Sequence, residues 1–366
     1  MASSRLHELS AHGVSVWMDS LSRELLETGE LARLTEEDAV VGVTSNPTIF
    51  EKALSTGDWY DEELRGAMTR HDDTKEIFLE LAVEDVSRAC DLLRPAWERS
   101  NGVDGYVSIE VDPDLAYDRD ASYEEALRLH RLVDRPNAYV KIPGTEPGLG
   151  AIEDCIAGGH SINVTLIFSL ARHAEVAEAY LRGLERFVEG GGDPSAVISV
   201  ASFFVSRVDT ETDRRLDEIG RTDLQGKLAI ANAKLAYQHY LELFSGPRWD
   251  ALAERGARPQ RCLWASTSTK NPAYRDVLYV EELVGPDTVN TMPAETIAAF
   301  QDHGEVADTL TEGVAEAHAL LDDLAAAGVD YDDVVETLER EGVEKFSDSF
   351  RTLRDGIDAK RAALVA

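Results

Sequence analysis

Eight short runs of β-branched and apolar residues recur along the chain, and longer stretches of helical character separate them. The runs are Val14–Asp19, Val40–Thr44, Gly105–Asp112, Ala138–Pro143, Ile162–Phe168, Ala196–Ser202, Cys262–Ser266 and Thr288–Met292. This alternation is typical of parallel strands that are joined by crossover helices. Eight such units are what a closed barrel requires, so the sequence predicts an α/β fold, a (β/α)8 TIM barrel with extra helices.

The predicted helices fill the intervals between the strands and continue well beyond the last strand. They include Tyr60–Arg70, Lys75–Glu98, Ser122–Leu132, Gly148–Ala157, Ser169–Glu189, Val205–Glu218, Lys227–Phe244, Asp276–Leu283, Ala294–His303, Glu305–Ala327 and Tyr331–Ala366. This C-terminal helical extension is longer than barrel closure needs, and it is expected either to pack on the outer helices or to cover a barrel mouth. No Pro-rich linker, low-complexity tract or internal repeat divides the chain, so we expect one domain over residues 1–366.

The charge balance is strongly acidic, with 69 Asp and Glu residues against 36 Lys and Arg residues and a net charge of −33. Such a chain repels nucleic acids and anionic membranes, so we expect neither as a partner. An anionic substrate would need a local cluster of positive side chains. Cys90, Cys155 and Cys262 lack metal-ligand spacing, and the sequence has no apolar signal core or membrane-length segment. We expect a cytoplasmic protein with reduced thiols and no metal.

Polar and apolar side chains alternate along the third, fourth and fifth runs. Because successive side chains of a strand face opposite ways, Glu110, Lys141 and Thr165 are predicted to point into the barrel. They lie toward the carboxyl ends of their strands, where the active sites of such barrels form. Asp19 ends the first run and Asn46 follows the second, so we expect all five side chains to converge.

Lys141 lies within the apolar and aromatic segment Tyr139–Pro143. Removing an ammonium group from water is costly, so these neighbours favour the neutral amine, which is a nucleophile toward carbonyl carbons. The alternative is an ion pair with Glu110 that only fills the barrel interior, but buried ion pairs are weak stabilisers compared with apolar packing. We therefore expect Lys141 to react with a carbonyl substrate.

Five segments in barrel order together resemble the transaldolase family across most of the chain. They are Val16-Trp17-Met18-Asp19-Ser20, Gly42-Val43-Thr44-Ser45-Asn46-Pro47-Thr48, Ser108-Ile109-Glu110-Val111-Asp112-Pro113, Val140-Lys141-Ile142-Pro143-Gly144-Thr145 and Ile162-Asn163-Val164-Thr165-Leu166. Each segment is weak alone, whereas the ordered set is highly specific, and its variants resemble the longer actinobacterial-type branch. The resemblance implies a class I enzyme of the pentose phosphate pathway. It would transfer a dihydroxyacetone unit from sedoheptulose 7-phosphate to glyceraldehyde 3-phosphate, giving erythrose 4-phosphate and fructose 6-phosphate.

The same resemblance implies the catalytic roles. Lys141 attacks the ketone of the donor, and the iminium that forms withdraws electrons while the C3–C4 bond breaks. This electron sink needs no metal or other cofactor. Asp19 matches the general acid/base at the C4 hydroxyl, and Glu110 and Thr165 match the pair that holds a catalytic water.

Substrate binding is likewise implied by the resemblance. It assigns Thr44 to the substrate site, and Asn46 and Asn163 match residues that hydrogen-bond the dihydroxyacetone hydroxyls. Phosphate is expected at Ser202 and Arg207, where the sixth run gives way to a helix, and at Ser268 and Lys270 in the loop after the seventh run, because a helix N-terminus with a guanidinium suits a dianion. Lys270 stands where many family members carry arginine, so the charge is kept but the bidentate fork is lost.

Structural alternatives remain open for several of these residues. Asp19 could cap a strand end, and Glu110 could be the partner of a neighbouring hydroxyl. Asn46 could form the turn that an Asn-Pro pair favours, and Lys270 could lie in an ordinary surface loop.

Two other functions would use part of the same site. A fructose 6-phosphate aldolase would share the barrel and Lys141 but release the three-carbon unit. Glu110 favours transfer, because the aldolase branch of the family typically lacks glutamate there and has shorter chains. A non-catalytic sugar-phosphate-binding barrel would have no reason to keep Lys141, Asp19, Glu110 and Thr165 together. The expected partners are small-molecule sugar phosphates, and the protein is expected to be a monomer or a homodimer.

Overall fold

The centre of the molecule is a closed barrel of eight parallel strands. The computed structural model describes residues 4–365, with side chains to residue 362. Each strand pairs with the next, and the eighth pairs with the first. The strands are β1 (Val14–Met18), β2 (Val40–Val43), β3 (Tyr106–Glu110), β4 (Ala138–Pro143), β5 (Ile162–Ile167), β6 (Ser199–Phe204), β7 (Arg261–Ala265) and β8 (Thr288–Met292). The predicted (β/α)8 class is therefore confirmed.

Sixteen α-helices surround this barrel within the described residues. They are α1 (Arg5–Ala11), α2 (Arg23–Glu27), α3 (Glu30–Glu37), α4 (Pro47–Ser55), α5 (Asp61–Met68), α6 (Thr74–Arg99), α7 (Arg119–Val133), α8 (Glu146–Ala157), α9 (Leu170–Glu189), α10 (Ser206–Ile219), α11 (Leu228–Leu243), α12 (Gly246–Ala253), α13 (Leu278–Glu281), α14 (Ala294–His303), α15 (Val314–Ala327) and α16 (Tyr331–Val365). The segment predicted as a helix from Glu305 begins only at Val314. None of these helices combines the length and the apolar character that crossing a membrane requires.

The sixth strand begins at Ser199 and not at Ala196 as predicted. Residues Pro194–Ala196 form one turn of 3-10 helix, and the Asp193 side chain caps it by accepting a hydrogen bond from the Ser195 N–H. Proline has no N–H to donate to a strand ladder and has a fixed φ, which favours the turn. As a result Ser202 lies inside β6 and not at its end.

A backbone irregularity interrupts β5 next to Thr165. Leu166 has a φ of 59°, which is the left-handed region that a branched residue rarely adopts, and the register against β6 shifts between Val164 and Ile167. Regular alternation would put Leu166 on the outer face with Val164. Instead the Leu166 side chain contacts α16 at Gly342. A Cβ added at Gly342 would lie only 3.1 Å from Leu166 Cδ2.

Aromatic rings fill the barrel interior beneath the polar groups. Trp17 packs near Tyr139, with 6.1 Å between ring centroids, and Tyr139 stacks on Tyr106 at 4.1 Å. Gly42 on β2 makes room for the indole, because a Cβ at this position would lie 2.4 Å from two Trp17 ring atoms. The polar side chains of the site therefore lie above a closely packed aromatic layer.

The C-terminal helix α16 lies across the carboxyl-end mouth of the barrel and also packs on outer helices, so both placements left open by the sequence are found. Gly342 lets it approach Leu166 at the end of β5. Ser349 and Thr48 of α4 share a hydrogen bond of 2.8 Å. Farther along, Lys360 pairs with Asp61 of α5 at 3.0 Å. The helix is thus tied to several sides of the mouth.

Candidate active site

Lys141 and Glu110 face each other on adjacent strands inside the barrel. They are register partners between β4 and β3. Lys141 Nζ lies 3.2 Å from Glu110 Oε2, and the two side chains are only 5% and 3% exposed. The same Nζ donates a hydrogen bond of 3.1 Å to the carbonyl oxygen of Ser45. The lysine is therefore held with its amine beside a carboxylate at the carboxyl end of the barrel.

Two buried oxygens of the site side chains have no partner among the described residues. They are Oε1 of Glu110 and the hydroxyl oxygen of Thr165, whereas Oε2 of Glu110 has its ion pair with Lys141. Burial raises the pKa of Glu110, and the charge of Lys141 opposes that rise. Buried oxygens without partners are costly unless a water or a substrate binds them. This arrangement can hold a water beside the Lys141 amine.

Asp19 lies at the mouth directly after β1. Its backbone N–H donates to the carbonyl oxygen of Met292, which fixes the end of the strand. Its Oδ1 accepts a hydrogen bond of 2.7 Å from the Thr44 hydroxyl, which is also 2.7 Å from the Thr291 hydroxyl. Burial raises the pKa of Asp19, while the Thr44 hydrogen bond and the charge of Lys141 lower it. The carboxyl group is bound by a side-chain hydroxyl and not by a backbone N–H, so it does not act as a strand-end cap.

The two predicted asparagines are held by protein groups. Asn46 caps α4, because its Oδ1 accepts a hydrogen bond of 3.0 Å from the Ile49 N–H. Asn46 therefore has a structural role, as a helix cap and not as the expected turn, and it also lines the active-site cavity. Asn163 donates to the Ser108 hydroxyl at 3.1 Å and accepts from the Ser202 hydroxyl at 2.7 Å. Ser202 thus orients Asn163.

A cavity of about 220 Å³ opens at the carboxyl ends of the strands. Nine of the eleven predicted site residues line it, namely Asp19, Thr44, Asn46, Lys141, Thr165, Ser202, Arg207, Ser268 and Lys270. The other two lie behind the residues that line the cavity. Glu110 borders a smaller, largely apolar space beside the cavity, and Asn163 is fully buried beneath it.

The phosphate-binding residues expected from the sequence lie on one side of this cavity. Arg207 is in the first turn of α10, with its guanidinium 4.9 Å from the ring centroid of Phe204 and 5.7 Å from that of Phe346. Burial lowers the pKa of Arg207. Lys270 donates a hydrogen bond of 2.6 Å to the Ser268 hydroxyl. A guanidinium at a helix N-terminus, together with a lysine and a hydroxyl of the same cavity, can bind a dianion.

Four contributors to the site were missed by the sequence reasoning. Ser45 acts through its backbone carbonyl, which no residue type reveals. Thr291 could have been found, because a polar residue at the carboxyl end of a barrel strand is a candidate by position. Lys52 and Lys345 line the cavity from α4 and α16, and no sequence pattern predicts that these helices bring them there.

The cysteines and the acidic residues form no metal site in the described part of the chain. No group of three or more His, Cys, Asp and Glu residues in residues 4–365 is arranged to hold an ion. Cys90, Cys155 and Cys262 are free thiols and are buried. Burial raises the pKa of Cys155 to about 12, so its thiol stays protonated.

Comparison with known proteins relates the chain to one family. The model of the Transaldolase/Fructose-6-phosphate aldolase family matches residues 16–357. A transaldolase of Acidothermus cellulolyticus is 56% identical over 351 residues, which are 95% of this chain and 94% of the relative. A transaldolase of Mycobacterium ulcerans is 52% identical over 364 residues, or 98% of each chain. Transaldolase 2 of Streptomyces coelicolor is 50% identical over 359 residues, 97% of this chain and 96% of the relative.

Proposed function

The chain belongs to the transaldolase/fructose-6-phosphate aldolase family, and from this premise we propose that it is a transaldolase that works through a Schiff base on Lys141. It transfers a dihydroxyacetone unit from sedoheptulose 7-phosphate to glyceraldehyde 3-phosphate, in the pentose phosphate pathway. The products are erythrose 4-phosphate and fructose 6-phosphate. The observation that carries the proposal is the buried Lys141 amine 3.2 Å from Glu110.

Schiff-base formation needs a neutral amine and a route for two proton transfers. Glu110 has a raised pKa because it is buried, so it can accept the proton that Lys141 releases. The amine adds to the ketone carbon to give a carbinolamine, and loss of its hydroxyl as water gives the iminium. Oε1 of Glu110 and the hydroxyl of Thr165 have no partner among the described residues, which supports a role in holding the water that this step forms and that hydrolysis consumes.

Carbon–carbon cleavage is assigned to Asp19. Its carboxylate takes the proton of the C4 hydroxyl, the C3–C4 electrons move into the iminium, and the aldose phosphate leaves while the three-carbon unit stays as an enamine on Lys141. The acceptor aldehyde then enters, the enamine carbon attacks it, and Asp19 returns the proton to the new hydroxyl. Hydrogen bonding to Thr44 keeps the carboxyl oriented through both directions.

Borohydride trapping tests the Schiff base directly. With fructose 6-phosphate as donor, reduction should attach the three-carbon unit to the peptide that contains Lys141 and to no other peptide. The Lys141→Met variant, which keeps the aliphatic stem, should give no adduct. Labelling of a different lysine, or no labelling in the unmodified protein, would refute the mechanism.

A second assay separates transfer from simple cleavage. Fructose 6-phosphate is supplied with and without erythrose 4-phosphate, and free dihydroxyacetone and sedoheptulose 7-phosphate are measured. A transaldolase forms the seven-carbon product and releases little dihydroxyacetone. Free dihydroxyacetone at a comparable rate without acceptor would identify an aldolase instead.

We also propose that residues 1–366 act as one domain, as a monomer or homodimer, in the cytoplasm. One continuous cluster of buried apolar residues that includes Leu6 and Ile357 supports the single domain. The three buried free thiols and the phosphorylated substrates fit a reducing compartment. A single cooperative unfolding transition, the mass in solution by light scattering, and cell fractionation would test these points in turn.

A further inference from the structure

The active-site cavity reverses the charge balance of the protein. The whole chain has 69 acidic and 36 basic residues. Around the cavity the ratio is inverted, with five basic and two acidic lining residues. The basic ones are Lys52, Lys141, Arg207, Lys270 and Lys345, and the acidic ones are Asp19 and Glu295. A local excess of positive charge on so acidic a chain indicates a binding site for an anion.

Lys345 is a basic residue of this cluster that no feature of the proposed reaction has yet used. It comes from α16, next to Phe346, against which the Arg207 guanidinium packs. The positive charge of Arg207 is the main reason that the pKa of Lys345 is lowered, and burial, Lys270 and Lys52 add to the effect. Like charges that line the same cavity repel one another, and a bound dianion would relieve that repulsion.

Among the described residues, no carboxylate is paired with the basic residues of this cluster, apart from the Glu110 partner of Lys141. In the described part of the chain, none of Lys52, Arg207, Lys270 and Lys345 forms an ion pair within 4.0 Å. Of the two acidic side chains in the cavity, Asp19 is already bound to Thr44. The cations are therefore available to a ligand.

The position of Lys345 is fixed by packing on both sides along the helix. Three residues earlier, Gly342 allows close contact with Leu166. Four residues later, Ser349 shares its hydrogen bond with Thr48 of α4. Phe346 itself is buried. These contacts place the part of α16 that carries Lys345 beside Arg207.

We propose that Lys345 binds the phosphate of the sugar phosphate together with Arg207 and Lys270, so that the C-terminal helix is part of the substrate site. This inference rests on the proposed function and extends it. Lys345 contributes a point charge from α16 above the mouth of the barrel. The guanidinium of Arg207 contributes hydrogen-bond donors from the barrel side. Lys52 adds long-range attraction from α4. Selection for phosphorylated sugars thus depends on an element outside the barrel.

The direct test is the affinity of the unmodified protein and three variants for inorganic phosphate, measured by titration at constant ionic strength. Lys345→Met removes the charge and keeps the stem, and should raise the dissociation constant about fivefold or more. Lys345→Arg should keep it within about twofold of the unmodified protein. The control is Arg351→Met, because Arg351 is on the same helix, is 64% exposed and pairs with Asp348. It should leave phosphate affinity unchanged.

A kinetic measurement separates phosphate recognition from helix stability. In Lys345→Met the KM for fructose 6-phosphate should rise by a similar factor while kcat is kept. The dihydroxyacetone concentration that gives half-maximal borohydride trapping should not change, because this ligand has no phosphate. A rise for both ligands would show a structural effect and overturn the proposal.

The outcomes also separate this inference from the enzymatic function. Phosphate affinity that is equal in Lys345→Met and the unmodified protein, or that falls equally in Arg351→Met, overturns the role of Lys345 even if transfer is observed. Phosphate affinity that depends on Lys345 supports the role even if the unmodified protein shows no transfer.

Discussion

The Thr44 hydroxyl donates a hydrogen bond of 2.7 Å to Asp19 Oδ1, and this bond holds the pKa of Asp19 below the value that burial alone would give. Thr44→Val removes the bond and keeps the shape, so the pKa of Asp19 should rise. Because ionised Asp19 must accept the C4 hydroxyl proton, the acidic limb of the kcat profile should move to higher pH.

The matched control is Thr291→Val. It removes the other neighbour of the same hydroxyl and leaves the Thr44 to Asp19 bond in place. Its acidic limb should move less than that of Thr44→Val. An unchanged limb in Thr44→Val would mean that Asp19 does not set the pH dependence.

The second prediction concerns Glu110. Glu110→Gln keeps the size of the side chain and removes its ability to take a proton from Lys141, so kcat should fall about 10²-fold or more. The control is Asp112→Asn, since Asp112 pairs with Lys75 of α6 at 2.8 Å. The control should keep kcat within about twofold. Steady-state kinetics measure kcat for both variants. Comparable losses of kcat in the two would argue against a specific role for Glu110.

The third prediction tests the closely packed aromatic layer inside the barrel. Gly42→Ala would put a methyl group 2.4 Å from the Trp17 indole, and overpacking of this kind costs about 1–3 kcal/mol of unfolding free energy. Urea unfolding measures the loss. Because the clash is with one ring, Trp17→Leu in the same chain should remove most of the Gly42→Ala penalty.

A second glycine serves as the control for this experiment. Gly356 lies in α16, and apart from its chain neighbours and the nearby backbone of its own helix no described atom lies within 4 Å of the Cβ position. Gly356→Ala should be neutral or stabilise by about 0.5–1 kcal/mol, because alanine lowers the entropy of the unfolded chain. Equal destabilisation at both glycines would rule out the steric explanation at Gly42.

The fourth prediction concerns stability and pH. Burial raises the pKa of Asp209 to about 7, against hydrogen bonds from the Ala229 N–H and the Tyr279 hydroxyl, and nearby Asp213 adds to the rise. The folded protein therefore holds a proton on Asp209 that the unfolded chain loses at lower pH. As the pH rises from the ordinary pKa of an aspartate to about 7, this group alone lowers the unfolding free energy by up to about 1.4 kcal/mol per pH unit.

Asp209→Asn removes that titration and keeps an acceptor for the Ala229 N–H. Its stability relative to the unmodified protein should therefore rise from pH 5 to pH 7 and then level off. Urea midpoints at several pH values measure the difference. A difference that is constant from pH 5 to pH 8 would contradict the raised pKa.

Much of the fold followed from the sequence because the strands are short, β-branched and separated by long helices. The resemblance carried by the five motifs is confirmed by relatives at 50% to 56% identity, which come from actinobacteria. Alternation alone placed Lys141 and Glu110 on the same face of neighbouring strands, and they are register partners.

The remaining features depend on contacts between distant segments. The left-handed backbone at Leu166 could not be expected, because leucine rarely adopts it. The pairing of Ser202 with Asn163 depends on the register of β5 and β6, and the turn at Pro194 shifts the start of β6. Lys345 reaches the cavity from α16, which contacts β5 closely at Gly342.

The position of α16 along the chain has a consequence during synthesis. All eight strands, and with them Lys141, Asp19 and Glu110, leave the ribosome before α16 does. A barrel that closes at that stage would expose a reactive amine to any small aldehyde or ketone in the cell. If Lys345 selects for phosphate as proposed, the newly made enzyme becomes discriminating only when its last helix has docked, and a protease that removed α16 would leave a catalyst prone to condense with the wrong carbonyl compounds.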